Sequence, residues 1–131
     1  MGVFDPVPPR FNKIAKNVIR SAETVHGNLG PGLLETAYRA CMRMEMTEAG
    51  LGFHEDVMLP VAYHGAVINP AMKIDFVIEE GVIVLVKAVE ELRPIHEAQL
   101  RTYLKFGKLR LGLLINFDVV KLKEGVRRVV V

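Results

Sequence analysis

Residues 72–90, MKIDFVIEEGVIVLVKAVE, contain two strand-like apolar runs separated by a short polar turn. Each run carries one ionisable residue where the pattern otherwise supplies an apolar side chain, namely Asp75 and Lys87. An unpaired charge inside a sheet is strongly destabilising. Asp75 and Lys87 are therefore candidates for ionic partners, metal ligands or catalytic groups, and from the residues alone a structural ion pair is the leading alternative.

The turn between the two runs decides whether these charges share a face. A connection with an odd number of residues, with Gly81 at positive φ, predicts that Asp75 lies opposite Lys87 and Val77 opposite Leu85. A two-residue turn would place the charges on opposite faces. The hypothesis of a joint site therefore requires the odd connection.

Composition indicates a single domain, because the chain has 131 residues and half of them are hydrophobic. The net charge of +2 permits phosphate contacts but does not by itself indicate nucleic-acid binding. The one cysteine, Cys41, excludes an internal disulfide and a cysteine-based zinc cage. Since no stretch has the roughly 18 consecutive apolar residues of a membrane span, we expect a soluble, cytoplasmic protein without a membrane partner.

Periodicity predicts the order of the elements. Residues 1–10, with three prolines, are predicted to form an extended arm, and residues 11–131 a single domain. Helices are predicted over residues 11–28, 33–49 and 95–106, and strands over 57–63, 66–69, 73–79, 82–89, 111–117 and 126–131. The hairpin of residues 57–69 is expected to have one covered face. This order predicts an α/β domain with helices packed on a mixed sheet.

Residues 32–38, GLLETAY, match the GxxExxY signature through Gly32, Glu35 and Tyr38. Further matching segments extend over nearly the whole of residues 11–131, so the chain resembles the GxxExxY protein family. That family is itself similar to the PD-(D/E)XK nuclease superfamily. The resemblance implies an αβββαβ core with a mixed central sheet, a divalent-metal site at that sheet, and DNA or RNA as a partner.

By this resemblance, Asp75 is the metal-binding aspartate and Lys87 is the lysine of the E-x-K element. Gln99 and Tyr103 correspond to the Q-x-x-x-Y pair, and Glu35 to an additional acidic group. Hard oxygen ligands suit Mg²⁺ or Mn²⁺, which polarises a phosphate and activates water, while a lysine stabilises the developing charge. These residue types fit magnesium-dependent phosphodiester hydrolysis.

The chain departs from the family pattern at Leu85. Where the pattern has Glu in E-x-K, this chain has Leu85, followed by Val86 and Lys87. An alkyl side chain cannot bind a metal ion. Lost or much reduced cleavage is therefore favoured over a working nuclease.

Compensation for this loss is the alternative. Asp75, Glu35 and the backbone carbonyl of Val86 could still hold an ion weakly. Glu79 or Glu90 could substitute for the missing carboxylate, and Glu79 is the better candidate because it shares the face of Asp75 in a regular strand.

Two further residues, His26 and His96, fall near the motifs. His26 matches a histidine common in the family, but a lone histidine is more often a hydrogen-bonded packing residue than a ligand. The same structural interpretation applies to His96. The second functional hypothesis is a non-catalytic module on the same fold, which binds nucleic acid or assembles with protein, including as a homo-oligomer.

Overall fold

The computed structural model describes residues 7–131, so most of the predicted arm lies outside the described residues. Its elements, in chain order, are α1 (Pro9–Leu29), α2 (Glu35–Glu48), β1 (Phe53–Tyr63), β2 (Ala66–Ile78), β3 (Val82–Lys87), α3 (Pro94–Gly107), β4 (Leu111–Asn116), the 3₁₀ helix η1 (Leu122–Gly125) and β5 (Val126–Val130). The predicted helices and most of the predicted strands are confirmed, with shifted ends.

The five strands form one sheet in the order β1-β2-β3-β4-β5. β3 and β4 are parallel, with α3 as their crossover, and the other pairs are antiparallel. Residues of α1 and α2, such as Val18 and Met42, share a core cluster with one face of the sheet. Residues of α3, Leu100 and Leu104, pack in a second cluster on the other face. The predicted α/β fold with a mixed central sheet flanked by helices is confirmed.

α1 begins earlier than its periodicity predicts. Pro9 stands in its first turn, where a proline is tolerated because its missing N–H would have no partner within the helix. The periodicity that predicts this helix is confirmed, since Val18, Ala22 and Val25, spaced three and four residues apart, are buried. The helix ends before Gly30, which has a φ of 69°.

The β2–β3 connection has three residues, because Ile78 pairs with Val82. The odd connection required for a joint face is therefore present. The predicted pairing is wrong, however, because Val77 lies opposite Ile83 and not opposite Leu85. The predicted positive φ at Gly81 is also wrong, because the positive φ values of this turn fall at Glu79 and Glu80.

Extending this register by one residue places Asp75 beside Leu85 and leaves Lys87 two residues further along β3. The strand β2 is also irregular around Asp75. Ile74 packs in the cluster on the α3 side, whereas Phe76 packs in the cluster on the α1/α2 side. In a regular strand these two residues would share a face. Asp75 thus lies where β2 changes the side on which its apolar residues pack.

The β1–β2 hairpin is longer than predicted. β2 joins two predicted strands through the Asn69–Pro70 peptide, and it pairs with β3 only over its last three residues, Phe76 to Ile78. The turn at His64 and Gly65 is confirmed. The expected covered face is wrong for the outer part of the hairpin, where residues 62–71 are all exposed.

Candidate functional site

The parallel strands β3 and β4 end at Lys87 and Asn116, which pair across the sheet. Binding sites of α/β proteins commonly lie at such carboxyl ends. The Nζ atom of Lys87 lies 3.5 Å from Oε1 of Gln99. The Nε2 group of Gln99 donates to the hydroxyl of Tyr103 at 3.1 Å. The structure therefore brings these three sequence-predicted residues into one hydrogen-bonded row between β3 and α3.

Asp75 is half-buried, and its Oδ2 atom accepts a hydrogen bond of 2.8 Å from the backbone N–H of Val86. This bond joins β2 to β3 just beyond the last paired residues of their ladder. One carboxylate oxygen of Asp75 is thus already used in holding the two strands together.

Leu85 lies beside Asp75 and two residues before Lys87, at the position where the resemblance implies a carboxylate. Its side chain is only 2% exposed and belongs to the apolar cluster beneath α3, together with Leu100 and Leu114. The position is therefore filled with hydrocarbon that contributes to the core.

Glu35 is the half-buried first residue of α2. Tyr38, one turn later, is fully buried and stacks on Phe117 with ring centroids 4.7 Å apart. Its hydroxyl donates to the carbonyl of Gly30 at 2.6 Å and accepts from the N–H of Leu33 at 3.1 Å. Tyr38 therefore fixes the loop that leads into α2 and with it the position of Glu35.

Gly32 contributes to the same fixation. Its φ of 99° is unfavourable for residues with a side chain, and its N–H donates to Oδ1 of Asp118 at 3.1 Å. Within the GxxExxY signature, Gly32 and Tyr38 thus position the start of α2 against the loop that follows β4.

The two histidines also make structural contacts. Nε2 of His26 lies 2.7 Å from the carbonyl oxygen of Val119, which ties the end of α1 to the loop after β4. Nδ1 of His96 accepts a hydrogen bond of 2.9 Å from the N–H of Arg93 at the start of α3. Both contacts agree with the interpretation of these histidines as hydrogen-bonded packing residues.

Glu79 lies in the β2–β3 turn, where its Oε2 atom accepts a hydrogen bond of 3.2 Å from the N–H of Gly52. It stands four positions along the chain from Asp75, roughly 13 Å in extended backbone. It lines an open cleft of about 760 Å³ together with Arg10 and Lys13. Glu90 is exposed in the segment after β3. The structure places Glu79 away from the gap at Leu85.

An arginine network that the sequence interpretation missed lies between α2 and β1. Arg39 contacts Glu55 at 3.2 Å and also Asp56, and Arg43 contacts Glu55 at 2.6 Å. Burial opposes the charge of Arg39, but the hydrogen bond to Asp56 and the attraction of Asp75, Asp56 and Glu55 raise its pKa overall. Hydrogen bonds from Arg43 and Arg39 lower the pKa values of Glu55 and Asp56, respectively. The carboxylate of Asp75 and the guanidinium of Arg39 therefore attract each other.

Asn116 is a second missed residue. It is 1% exposed, its Nδ2 group donates to the carbonyl of Val89, and its Oδ1 atom accepts from the N–H groups of Val89 and Asp118. These bonds hold the segment after β3 against the loop after β4. The sequence signal that could have identified Asn116 is an amide side chain at the end of an otherwise apolar strand.

The donor set does not fit a divalent cation well. Within residues 7–131, no group of three or more His, Cys, Asp or Glu side chains could hold a metal ion. Mg²⁺ requires near-octahedral oxygen coordination, usually with one or more carboxylates. Asp75 offers a carboxylate with one oxygen already hydrogen-bonded, and Leu85 offers none.

Comparison with known proteins identifies the fold. Searches of curated proteins and of solved structures found no significant match. In the part of the chain described here, none of the helices has both the length and the apolar character to span a bilayer. A family model of the PD-(D/E)XK nuclease superfamily matches residues 12–129, which is nearly the whole chain. The chain therefore belongs to the PD-(D/E)XK nuclease superfamily.

Proposed function

We propose that this domain is a degenerate nuclease, which retains a surface for the backbone of DNA or RNA but hydrolyses phosphodiesters weakly or not at all. The observation that carries the proposal is the buried side chain of Leu85, beside Asp75 and two residues before Lys87, where the resemblance implies a carboxylate.

The chemical reason lies in the demands of metal-assisted hydrolysis. A bound Mg²⁺ or Mn²⁺ polarises the phosphate and lowers the pKa of a water molecule. Such an ion needs several oxygen ligands at once, and here Asp75, Glu35 and the Val86 carbonyl would have to suffice. Affinity for the metal, and with it the rate of cleavage, is therefore low.

The lysine side of the site keeps its polar groups. The ammonium group of Lys87 suits a phosphate oxygen, and Gln99, held in turn by Tyr103, orients it. This arrangement favours binding of a nucleic-acid backbone without its cleavage.

The test is a cleavage assay on labelled DNA and RNA with Mg²⁺ or Mn²⁺. The wild type is compared with Leu85→Glu, with the uncharged control Leu85→Gln and with Lys87→Ala. We expect little or no cleavage by the wild type and increased cleavage by Leu85→Glu alone. Metal-dependent cleavage by the wild type that Lys87→Ala abolishes would overturn the proposal.

A second candidate function is a wholly non-catalytic module that binds nucleic acid or assembles with protein. The poor fit of the donor set to a metal ion favours it. It differs from the first in predicting that Leu85→Glu restores no cleavage, while nucleic-acid binding persists in EDTA and weakens with salt.

A further inference from the structure

A groove runs along one side of α1 and is here called the α1 groove. It joins the open cleft of about 760 Å³ beside Glu79 to a smaller cavity of about 310 Å³ between α1 and α2, and Asn17 and Ala49 line both. The outermost lining residues of α1, Arg10 and Thr24, are separated by roughly 21 Å of helix. This length matches an extended peptide of about six residues.

The two walls of the α1 groove carry opposite charges. One wall is lined by basic residues of α1, namely Arg10, Lys13 and Arg20. The other wall is lined by acidic residues near the end of α2 and in the β2–β3 turn, namely Glu45, Glu48, Glu79 and Glu80. Within residues 7–131, no ion pair joins these two sets of side chains. Each wall is therefore free to attract the opposite charge on a ligand.

A hydroxyl group on the α1 side of the groove is also free. Ser21 lines the smaller cavity and is only 5% exposed, and in the described part of the chain its hydroxyl makes no hydrogen bond. The neighbouring hydroxyl of Thr24, by contrast, donates to the carbonyl of Arg20 at 3.1 Å. Because a serine hydroxyl can donate and accept, Ser21 can bond the backbone of a chain that lies in the groove.

The open shape of the groove favours a peptide over a small molecule or a nucleic acid. Small molecules bind in pockets that bury most of their surface, whereas an extended peptide can bind along an open groove. A nucleic acid is disfavoured because its phosphates would face the carboxylates of one wall.

The charge pattern restricts the sequence of the peptide. Successive side chains of an extended chain point to opposite sides, so alternating acidic and basic residues would meet the basic and the acidic wall, respectively. Three acidic residues at alternate positions span roughly 13 Å. That span is close to the roughly 15 Å of helix between Arg10 and Arg20.

We propose that the α1 groove binds an extended segment of a partner protein in which acidic and basic side chains alternate. Its acidic side chains pair with the α1 wall, and its basic side chains pair with the glutamates opposite. This inference stands apart from the degenerate-nuclease proposal, because Asp75, Leu85 and Lys87 do not line the groove.

The test is fluorescence anisotropy of a labelled hexapeptide, EKEKEK with capped ends, titrated with the full chain at low ionic strength. The matched control peptide, EEEKKK, has the same composition and net charge but carries its charges in two blocks. Exposed ion pairs are individually weak. We therefore expect saturable binding of EKEKEK with a dissociation constant on the order of 100 μM, and binding of EEEKKK that is weaker by about fivefold or more.

Charge reversal on each wall locates the bound peptide. Arg20→Glu and Glu48→Lys should each raise the dissociation constant for EKEKEK by about threefold or more, since an attraction becomes a repulsion. Lys16→Glu and Glu23→Lys are the matched controls, because they make the same changes of charge at exposed residues of α1 outside the groove. The controls should bind EKEKEK like the wild type, and all four variants should keep the circular dichroism spectrum of the wild type.

Three results would overturn the inference. The first is a wild type that shows no saturable binding of EKEKEK. The second is equal affinity for the two peptides, which would indicate an unspecific attraction between charges. The third is a wall variant that binds EKEKEK as tightly as its control, which would place the peptide outside the α1 groove.

Discussion

The two sides of the sheet site differ in completeness. On one side, Lys87, Gln99 and Tyr103 form a connected polar row. On the other, Asp75 stands beside Leu85, whose side chain belongs to the apolar core. Full burial of a leucine side chain contributes about 2–3 kcal/mol to stability, whereas a buried carboxylate without a bound cation is destabilising. The comparison teaches that position 85 serves the packed core, and that a carboxylate there would have to displace this packing.

The largest predicted effect is that of Leu85→Glu, on the side of the site where Asp75 stands beside Leu85. Without metal, the carboxylate enters the cluster beneath α3 and the free energy of unfolding falls by about 3 kcal/mol or more. Denaturant unfolding in EDTA measures this loss. Leu85→Met, which keeps an apolar side chain of similar volume, is the control and costs less than about 1.5 kcal/mol. Equal stability of the glutamate variant and the wild type would show that position 85 is not a packed core position.

The second effect concerns the anchoring of Glu35 by Tyr38. Tyr38→Phe removes the hydroxyl that bridges Gly30 and Leu33. Because Tyr38 is fully buried, we expect a loss of about 1–3 kcal/mol. Tyr103→Phe is the control, since its hydroxyl is half-buried and accepts one bond from Gln99. Thermal unfolding compares the two variants. A Tyr38 variant no less stable than the Tyr103 variant would contradict the anchoring role.

A third, smaller effect tests the polar row of Lys87, Gln99 and Tyr103. Lys87→Ala weakens binding of DNA or RNA in EDTA and reduces the slope of log affinity against log salt by about 1, because one phosphate contact is lost. Fluorescence anisotropy at several salt concentrations measures this change. Lys16→Ala, at an exposed lysine of α1, serves as the control. Identical salt slopes for the two variants would remove Lys87 from the binding surface.

The smallest effect is a pH dependence at the arginine network. The hydrogen bond from Arg43 holds the pKa of Glu55 below its ordinary value of 4.5. Since the folded state lowers this pKa, the stabilisation is present above pH 4.5 and is lost as the pH falls below that value. The stability difference between the wild type and Glu55→Gln should therefore shrink on acidification. A difference that is constant with pH would contradict the predicted linkage.

Much of the fold could be predicted from the sequence because its elements are strongly periodic. The apolar stripe of α1 and the continuous run of β4 are local patterns, and both were confirmed. The register between β2 and β3 could not be predicted, because it depends on positive φ values at Glu79 and Glu80, which are residues that rarely adopt them.

The polar row of the site was predictable because Gln99 and Tyr103 lie one helical turn apart on α3. The arginine network was not, since it joins residues of α2 to β1 through contacts that only the packing of helix on sheet creates. The exposure of residues 62–71 in the β1–β2 hairpin was also missed. Alternation in residues 57–63 resembles a half-buried strand whether or not the fold covers it.

Calorimetric titration with Mn²⁺ tests the central claim most directly. The wild type and Leu85→Gln should show no specific binding, whereas Leu85→Glu should bind the ion and lose it again when Asp75→Ala is added. Specific binding by the wild type that depends on Asp75 would contradict the claim that Leu85 has disabled the metal site.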